Sequence, residues 1–173
     1  VAVSTTNDPR GTWARYSYFY TNLPDYPKVA TWPDAYYFSF NTFAGNTTFL
    51  GPMACAYDRS RMLAGLSATQ QCTSLSSVYG GLLASALDGA TPPPAGSPNY
   101  FVSLGRTSTT LDYWKFHVDW TTPTNSSFVG PATITVPAYS LACKGTGGAC
   151  IPQKGTTNQL DTLGDRLMYR LAY

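Results

Sequence analysis

Two stretches of this chain follow one pattern. Thr31-Trp32-Pro33-Asp34-Ala35-Tyr36-Tyr37-Phe38-Ser39-Phe40 and Thr162-Leu163-Gly164-Asp165-Arg166-Leu167-Met168-Tyr169-Arg170-Leu171 both run Thr, an apolar residue, a turn former, Asp, then an alternating apolar run. A third, imperfect copy, Ser97-Pro98-Asn99-Tyr100-Phe101-Val102-Ser103-Leu104, lies between them. With the turn residue as anchor the copies sit at Pro33, Pro98 and Gly164, spaced by 65 and 66 residues. A spaced repeat constrains a fold more than composition does. Each unit is one supersecondary block that must bury its apolar face on its neighbours.

A second signature recurs downstream of the first. It reads Phe49-Leu50-Gly51-Pro52 and then Phe128-Val129-Gly130-Pro131. Its second occurrence is 14 residues later relative to the anchor, and the added residues include Asp112 to Trp120. There Trp114, Phe116, Val118 and Trp120 alternate with Tyr113, Lys115, His117 and Asp119, the period of a half-buried strand. Tyr36, Phe38 and Phe40 fall on one strand face, as do Leu167, Tyr169 and Leu171. Pro-rich and Gly-rich punctuation such as Thr91 to Gly96 separates the units. The segment Asp58 to Gln71 is the best candidate for a short turn of helix.

Composition agrees with an all-β chain. All nine acidic residues are Asp; Glu is absent, while Thr, Tyr, Val and Phe are abundant. With 15 Gly and 13 Pro as turn formers, the expectation is one domain over residues 1–173, built as about two and a half four-stranded β-propeller blades. A two-sheet sandwich is the alternative. A strand from Arg166 to Tyr173 would then open a new blade and present a bare apolar edge, which invites pairing with another chain. Two and a half blades cannot close a ring. The expected completion is five blades, made by a homodimer or by a complementary second half on another polypeptide or on a removed segment.

A net charge of +2 spread along the chain offers no basic patch, which argues against nucleic acid. No apolar run approaches the roughly 20 residues that span a bilayer, so no membrane partner is expected. The N-terminal VAVSTTNDPR lacks the regions of a signal peptide, so the expectation is either that an export signal has been removed or that the sequence starts inside a longer protein. The four cysteines form two local couples, Cys55 with Cys72 and Cys143 with Cys150, without zinc-site spacing. Two disulfides in an exported protein are the favoured reading, with four buried thiols the alternative. Asn46-Thr47-Thr48 and Asn125-Ser126-Ser127 match the glycosylation pattern, a match common by chance.

The runs YPKVATWPDAYYFSFN, FHVDWTTP and DRLMYRLAY, within Tyr26 to Gly65 and Tyr100 to Tyr173, resemble a group of secreted bacterial β-propeller-like repeat proteins of unassigned function. The resemblance covers most of the chain. It implies a secreted or periplasmic bacterial protein and a sequence that continues into further blades, and it brings no activity with it.

On a propeller, equivalent positions of successive blades approach one axis. Asp34, Asn99 and Asp165 stand at the same point of the three units, and three oxygen-bearing side chains there would suit Ca²⁺. The competing reading is that each merely caps its own turn. His117, the single histidine, shares a strand face with Asp119, which could orient it as a base. Trp32, Tyr36 and Trp114 are candidates for substrate contact, and the cluster Trp13, Tyr16, Tyr18, Tyr20 could stack sugars or serve as core. No G-x-S-x-G elbow occurs, and no helix follows the Gly-rich stretches at Gly80 or Gly145.

Three functions compete. The first is a Ca²⁺-dependent hydrolase of a small ester or lactone, with Asp34, Asn99 and Asp165 as ligands and His117 as base. The second is a non-catalytic module that binds glycan or protein. The third is a glycoside hydrolase, which would have to use Asp for both carboxyl roles.

Overall fold

The computed structural model describes all of residues 1–173 and is all-β, with two main antiparallel sheets. A small ribbon pairs β1 (Ala2–Ser4) with β2 (Trp13–Arg15). The first main sheet is a simple meander, β3 (Leu23–Thr31), β4 (Ala35–Ala44), β5 (Thr48–Asp58) and β6 (Gln70–Ser74), with each strand beside the next. Helix α1 (Arg59–Leu63) lies between β5 and β6. It starts where Asp58 accepts from the Arg61 N–H, and it sits inside the segment expected to turn helical. The second sheet repeats the meander with β7 (Leu83–Ala86), β8 (Asn99–Leu104), β9 (Thr110–His117) and β10 (Ser127–Thr135). A small hairpin of β11 (Ala149–Pro152) and β12 (Gln159–Asp161) follows, and β13 (Leu171–Ala172) ends the chain.

The two sheets pack face to face, and the faces that meet are not equivalent. The shared core takes Ala35, Tyr37, Ala54 and Ala56 from the first sheet and Phe101, Trp114 and Phe116 from the second. Under the 65-residue repeat, Ala35 and Tyr37 correspond to Tyr100 and Val102, which point away from that core and are half exposed. Phe101 corresponds to Tyr36, which lies on the far side of the first sheet, packed on a separate cluster of Phe40, Met53, Cys55 and Tyr57. The sheets are therefore stacked head to tail, front face onto back face. A head-to-tail contact uses one surface from each end of the unit and leaves both outer ends open to repeat it.

The inner strands step in the same way. Leu87 N–H donates to the Thr31 carbonyl at the top of β3, and Tyr173 N–H donates to the Ala86 carbonyl at the top of β7, each at 2.9 Å. At the bottom, Arg166 contacts both Tyr26 and Gly81, so β3, β7 and the terminal segment run in one direction. Small residues, Ala30, Ala84 and Ala86, allow the close approach. The chain's sheets do not close into a barrel or a ring.

Two sequence expectations change here. Arg166 to Tyr173 does not form one long strand with a bare apolar edge. Only Leu171–Ala172 is strand, and it pairs parallel with β7 as an inner strand. The match to Asp34 onward is one strand out of register; the better parallel is Asp25-Tyr26-Pro27-Lys28. The second signature is not a repeat marker either. Phe49 to Pro52 lies in the third strand of its sheet and Phe128 to Pro131 in the fourth. Both mark a bulge, where register shifts opposite Thr42/Phe43 and between Val129 and Ala132. Gly supplies the positive φ there (120° at Gly51), and Pro fits where no ladder hydrogen bond is needed. Both disulfides are formed, Cys55–Cys72 across β5 and β6 and Cys143–Cys150 in the C-terminal segment.

Candidate functional site

The upper end of the stack holds most of the residues singled out in the sequence. Asp34 sits in the β3–β4 turn, where the Tyr37 hydroxyl donates to its carboxylate at 3.1 Å and Trp120 Nε1 donates to its carbonyl at 3.0 Å. Burial pushes its carboxyl above the usual range, against the pull of the Tyr37 hydroxyl and of nearby His117. Asn99 is fully buried in β8. Its Nδ2 donates to the Ser85 carbonyl at 2.8 Å, while its Oδ1 has no partner. His117 ends β9 on the exposed side.

Asp119 serves its own loop. It accepts from the Thr121 and Thr122 N–H groups at 2.8 Å each and from Asn125 Nδ2 at 3.2 Å. These bonds, led by that from Thr122, lower its pKa. No hydrogen bond joins it to His117, so the expected base–orienter pair is not assembled. Trp32 and Trp114 are 1% and 2% exposed, the pillars of the inter-sheet core, and cannot touch a substrate. Tyr36 is half buried under the Arg59 guanidinium.

Asp165 lies at the opposite end. It pairs with Arg166 at 2.7 Å, which holds its carboxyl below the usual range, and it faces the same cleft as Asn41. Asn41 is seven residues along β4 from Asp34, about 20 Å at strand rise. Asp34, Asn99 and Asp165 do not meet at one point. They do not fit a shared Ca²⁺, and no chemistry is routed through one.

The cleft at this lower end was not legible in the sequence. It encloses about 800 Å³ between the β4–β5 turn, the β6–β7 connection, the β8–β9 turn and the C-terminal segment. Phe43, Phe49, Tyr79 and Tyr139 supply aromatic wall. Arg166 is fixed on the inner side by Asp165 and by the Tyr26 ring, 4.8 Å from its guanidinium. Gly81, at φ 60°, makes room, since a Cβ there would stand 2.8 Å from the Arg166 Cβ. Arg106 differs from Arg166. It sits in the tight β8–β9 turn, exposed to the cleft, with no hydrogen bond or ion pair to the protein. Hydroxyls of Thr107, Thr109 and Thr110 bond one another beside it, and the Tyr139 hydroxyl closes the turn on the Thr107 carbonyl at 3.1 Å. The available signal was a Gly-Arg-Thr-Ser turn between two strands, which carries no spacing that separates a binding arginine from a solvated one.

The N-terminal tyrosines are structural. Tyr16, Tyr18 and Tyr20 lie along the back of the first sheet, and their hydroxyls bond the Met62 and Ala68 carbonyls, Gln70 and Tyr57. Burial pushes the Tyr18 hydroxyl up to about 12. No family model, no curated protein and no solved structure matches this chain.

Proposed function

We propose that the chain is a non-catalytic binding module of an exported protein, built as consecutive blades of a propeller-like stack, and that its lower cleft holds an anionic, ring-bearing ligand such as an acidic glycan. The observation that carries this is the unpartnered Arg106 guanidinium on an aromatic-walled cleft whose single carboxylate, Asp165, is already engaged by Arg166. A guanidinium offers five donors in a plane that matches a carboxylate or sulfate. The surrounding rings offer flat apolar faces for sugar rings. A glycoside hydrolase needs a second carboxyl group, and the cleft has none. The head-to-tail stacking and the same-direction inner strands support the blade reading. The two disulfides fit an oxidising, extracellular compartment.

Calorimetric titration with oligogalacturonate and with a neutral glucan of the same length tests the ligand class. Binding of the first alone is expected, and Arg106→Ala is expected to weaken it roughly 10- to 100-fold. Equal binding of both polymers, or indifference to Arg106→Ala, overturns the assignment. Turnover of model esters or lactones that is abolished by a chelator would restore the hydrolase in its place.

A further inference from the structure

We propose that Tyr139 is the positioning residue of the lower cleft: its hydroxyl holds the β8–β9 turn in a shape that leaves the Arg106 guanidinium free for an anion. The inference rests on the reading of that cleft as an anion site, and it names what makes Arg106 selective there. A guanidinium in an ordinary surface turn meets two obstacles. Nearby carbonyl oxygens accept from it and so compete with a ligand, and a mobile side chain on a mobile turn loses entropy when a ligand orders it. Both obstacles are removed in this turn. Within it, the Gly105 N–H donates to the Thr110 carbonyl at 2.9 Å and the Thr110 N–H to the Thr107 carbonyl at 3.2 Å. The turn is tight enough that a Cβ on Gly105 would stand 2.6 Å from the Thr110 carbonyl oxygen.

From outside, the chain that follows β10 runs alongside the turn and caps it. The Val136 N–H donates to the Thr109 carbonyl at 2.8 Å and the Tyr139 N–H to the Ser108 carbonyl at 2.9 Å. The Tyr139 hydroxyl donates to the Thr107 carbonyl at 3.1 Å, with the Thr110 carbonyl 3.4 Å away. Three consecutive acceptors of the turn are thereby occupied by one short segment, and Arg106, next to them in sequence, bonds none of them. What the turn offers the cleft is then donor charge on a fixed base. Two of the three capping bonds come from backbone N–H groups, which no side-chain replacement removes. The Tyr139 hydroxyl is the one side-chain group of this segment in the clamp, so position 139 is where sequence sets it.

Calorimetric titration of oligogalacturonate into the parent, Tyr139→Phe, Arg106→Ala and the double variant tests this. Tyr139→Phe keeps the ring on the cleft wall and removes only the hydroxyl. It is expected to weaken binding about 3- to 10-fold in the parent. In the Arg106→Ala background it should have no further effect, because it acts through that side chain. If Arg106→Ala binds too weakly to titrate, Arg106→Lys takes its place, and the effect of Tyr139→Phe should shrink, since a flexible ammonium gains less from a fixed turn. Amide hydrogen exchange reads the clamp without any ligand. In Tyr139→Phe the Gly105 and Thr110 amides are expected to exchange at least about threefold faster, with the Trp114 and Phe116 amides of β9 unchanged. Equal affinities for parent and Tyr139→Phe overturn the proposal. So does the same fold loss with and without Arg106, which would make the hydroxyl a direct ligand contact, and so does unchanged exchange at Thr110. A parent that binds no oligogalacturonate removes the ligand reading instead, and exchange at Gly105 and Thr110 then supports or overturns the clamp by itself.

Discussion

The first sheet is covered on both faces and the second on only one. The two meanders share strand order and a 65-residue repeat, yet Tyr37 of the first is 0% exposed while Tyr113 of the second, also on a front face, is half open. What differs is the neighbour. The first sheet has the N-terminal tyrosines behind it and the second sheet in front. Burial of a repeated face is thus decided by stacking, and the same residue type is core in one unit and surface in the next.

Truncating these two tyrosines gives the largest contrast. Tyr37→Ala empties the centre of the inter-sheet core, where the ring packs edge-on against Phe101 and Phe116 and its hydroxyl bonds Asp34. The expected loss is about 3–5 kcal/mol by denaturant unfolding. Tyr113→Ala removes a half-exposed ring and should cost about 1 kcal/mol. Equal losses would mean that the front of the second sheet is as well packed as that of the first.

The covalent staples sharpen the comparison. Cys55–Cys72 joins directly opposed residues of β5 and β6, the first buried and the second exposed on the edge strand, and closes 17 residues of chain. Replacing both with Ala should remove about 3 kcal/mol by the loop-closure argument. Cys143–Cys150 closes seven residues in the C-terminal segment, outside both sheets. Its removal should cost about 2 kcal/mol at most, felt around Gly147 and Asp165 rather than in the global transition. Melting curves of the two double variants separate these outcomes; a larger drop for the C-terminal pair would make that segment part of the cooperative core.

Periodicity made the strands legible. Trp114, Phe116 and Val118 are buried where alternation put them, and Lys115 and His117 are exposed. The paired cysteines and the turn of helix near Asp58 were legible for local reasons, namely spacing and a capping residue. Register across units was not. DRLMYRLAY resembles both an inner strand and the strand after it, because each is a short apolar alternation behind a turn and an Asp. Only the pairing of Leu171 with Ser85 chooses between them. The same ambiguity put Asp165 in one ring with Asp34 and Asn99. The bulge signature misled because Gly-Pro suits bulge geometry at any strand position, so it marks no fixed place in a unit. The cleft was invisible because its residues come from four separate connections that only stacking brings together.

The smallest effect concerns two aspartates near the upper end, which should respond to pH in opposite senses. Asp119 has its pKa lowered by the N–H groups of its loop, so its contribution is present above the unfolded-state value near 3.8 and is lost as pH falls through the lower folded value. Asp34 has its pKa raised by burial. Its folded state is favoured while the carboxyl is protonated, and that advantage fades as pH rises past 3.8 and through the raised value. Asp34→Asn should therefore leave the melting temperature unchanged or raise it slightly at pH 7, and lower it, if at all, only near pH 3. Asp119→Asn should lower it at pH 7 and converge on the parent as pH falls toward 3. The pair of melting profiles between pH 3 and 7 decides whether the turn carboxylate is a cost accepted by the stack and the loop carboxylate a support. Parallel profiles would remove the distinction, and with it the picture of Asp34 as a desolvated carboxyl whose burial outweighs the pull of Tyr37, the turn's backbone N–H groups and His117.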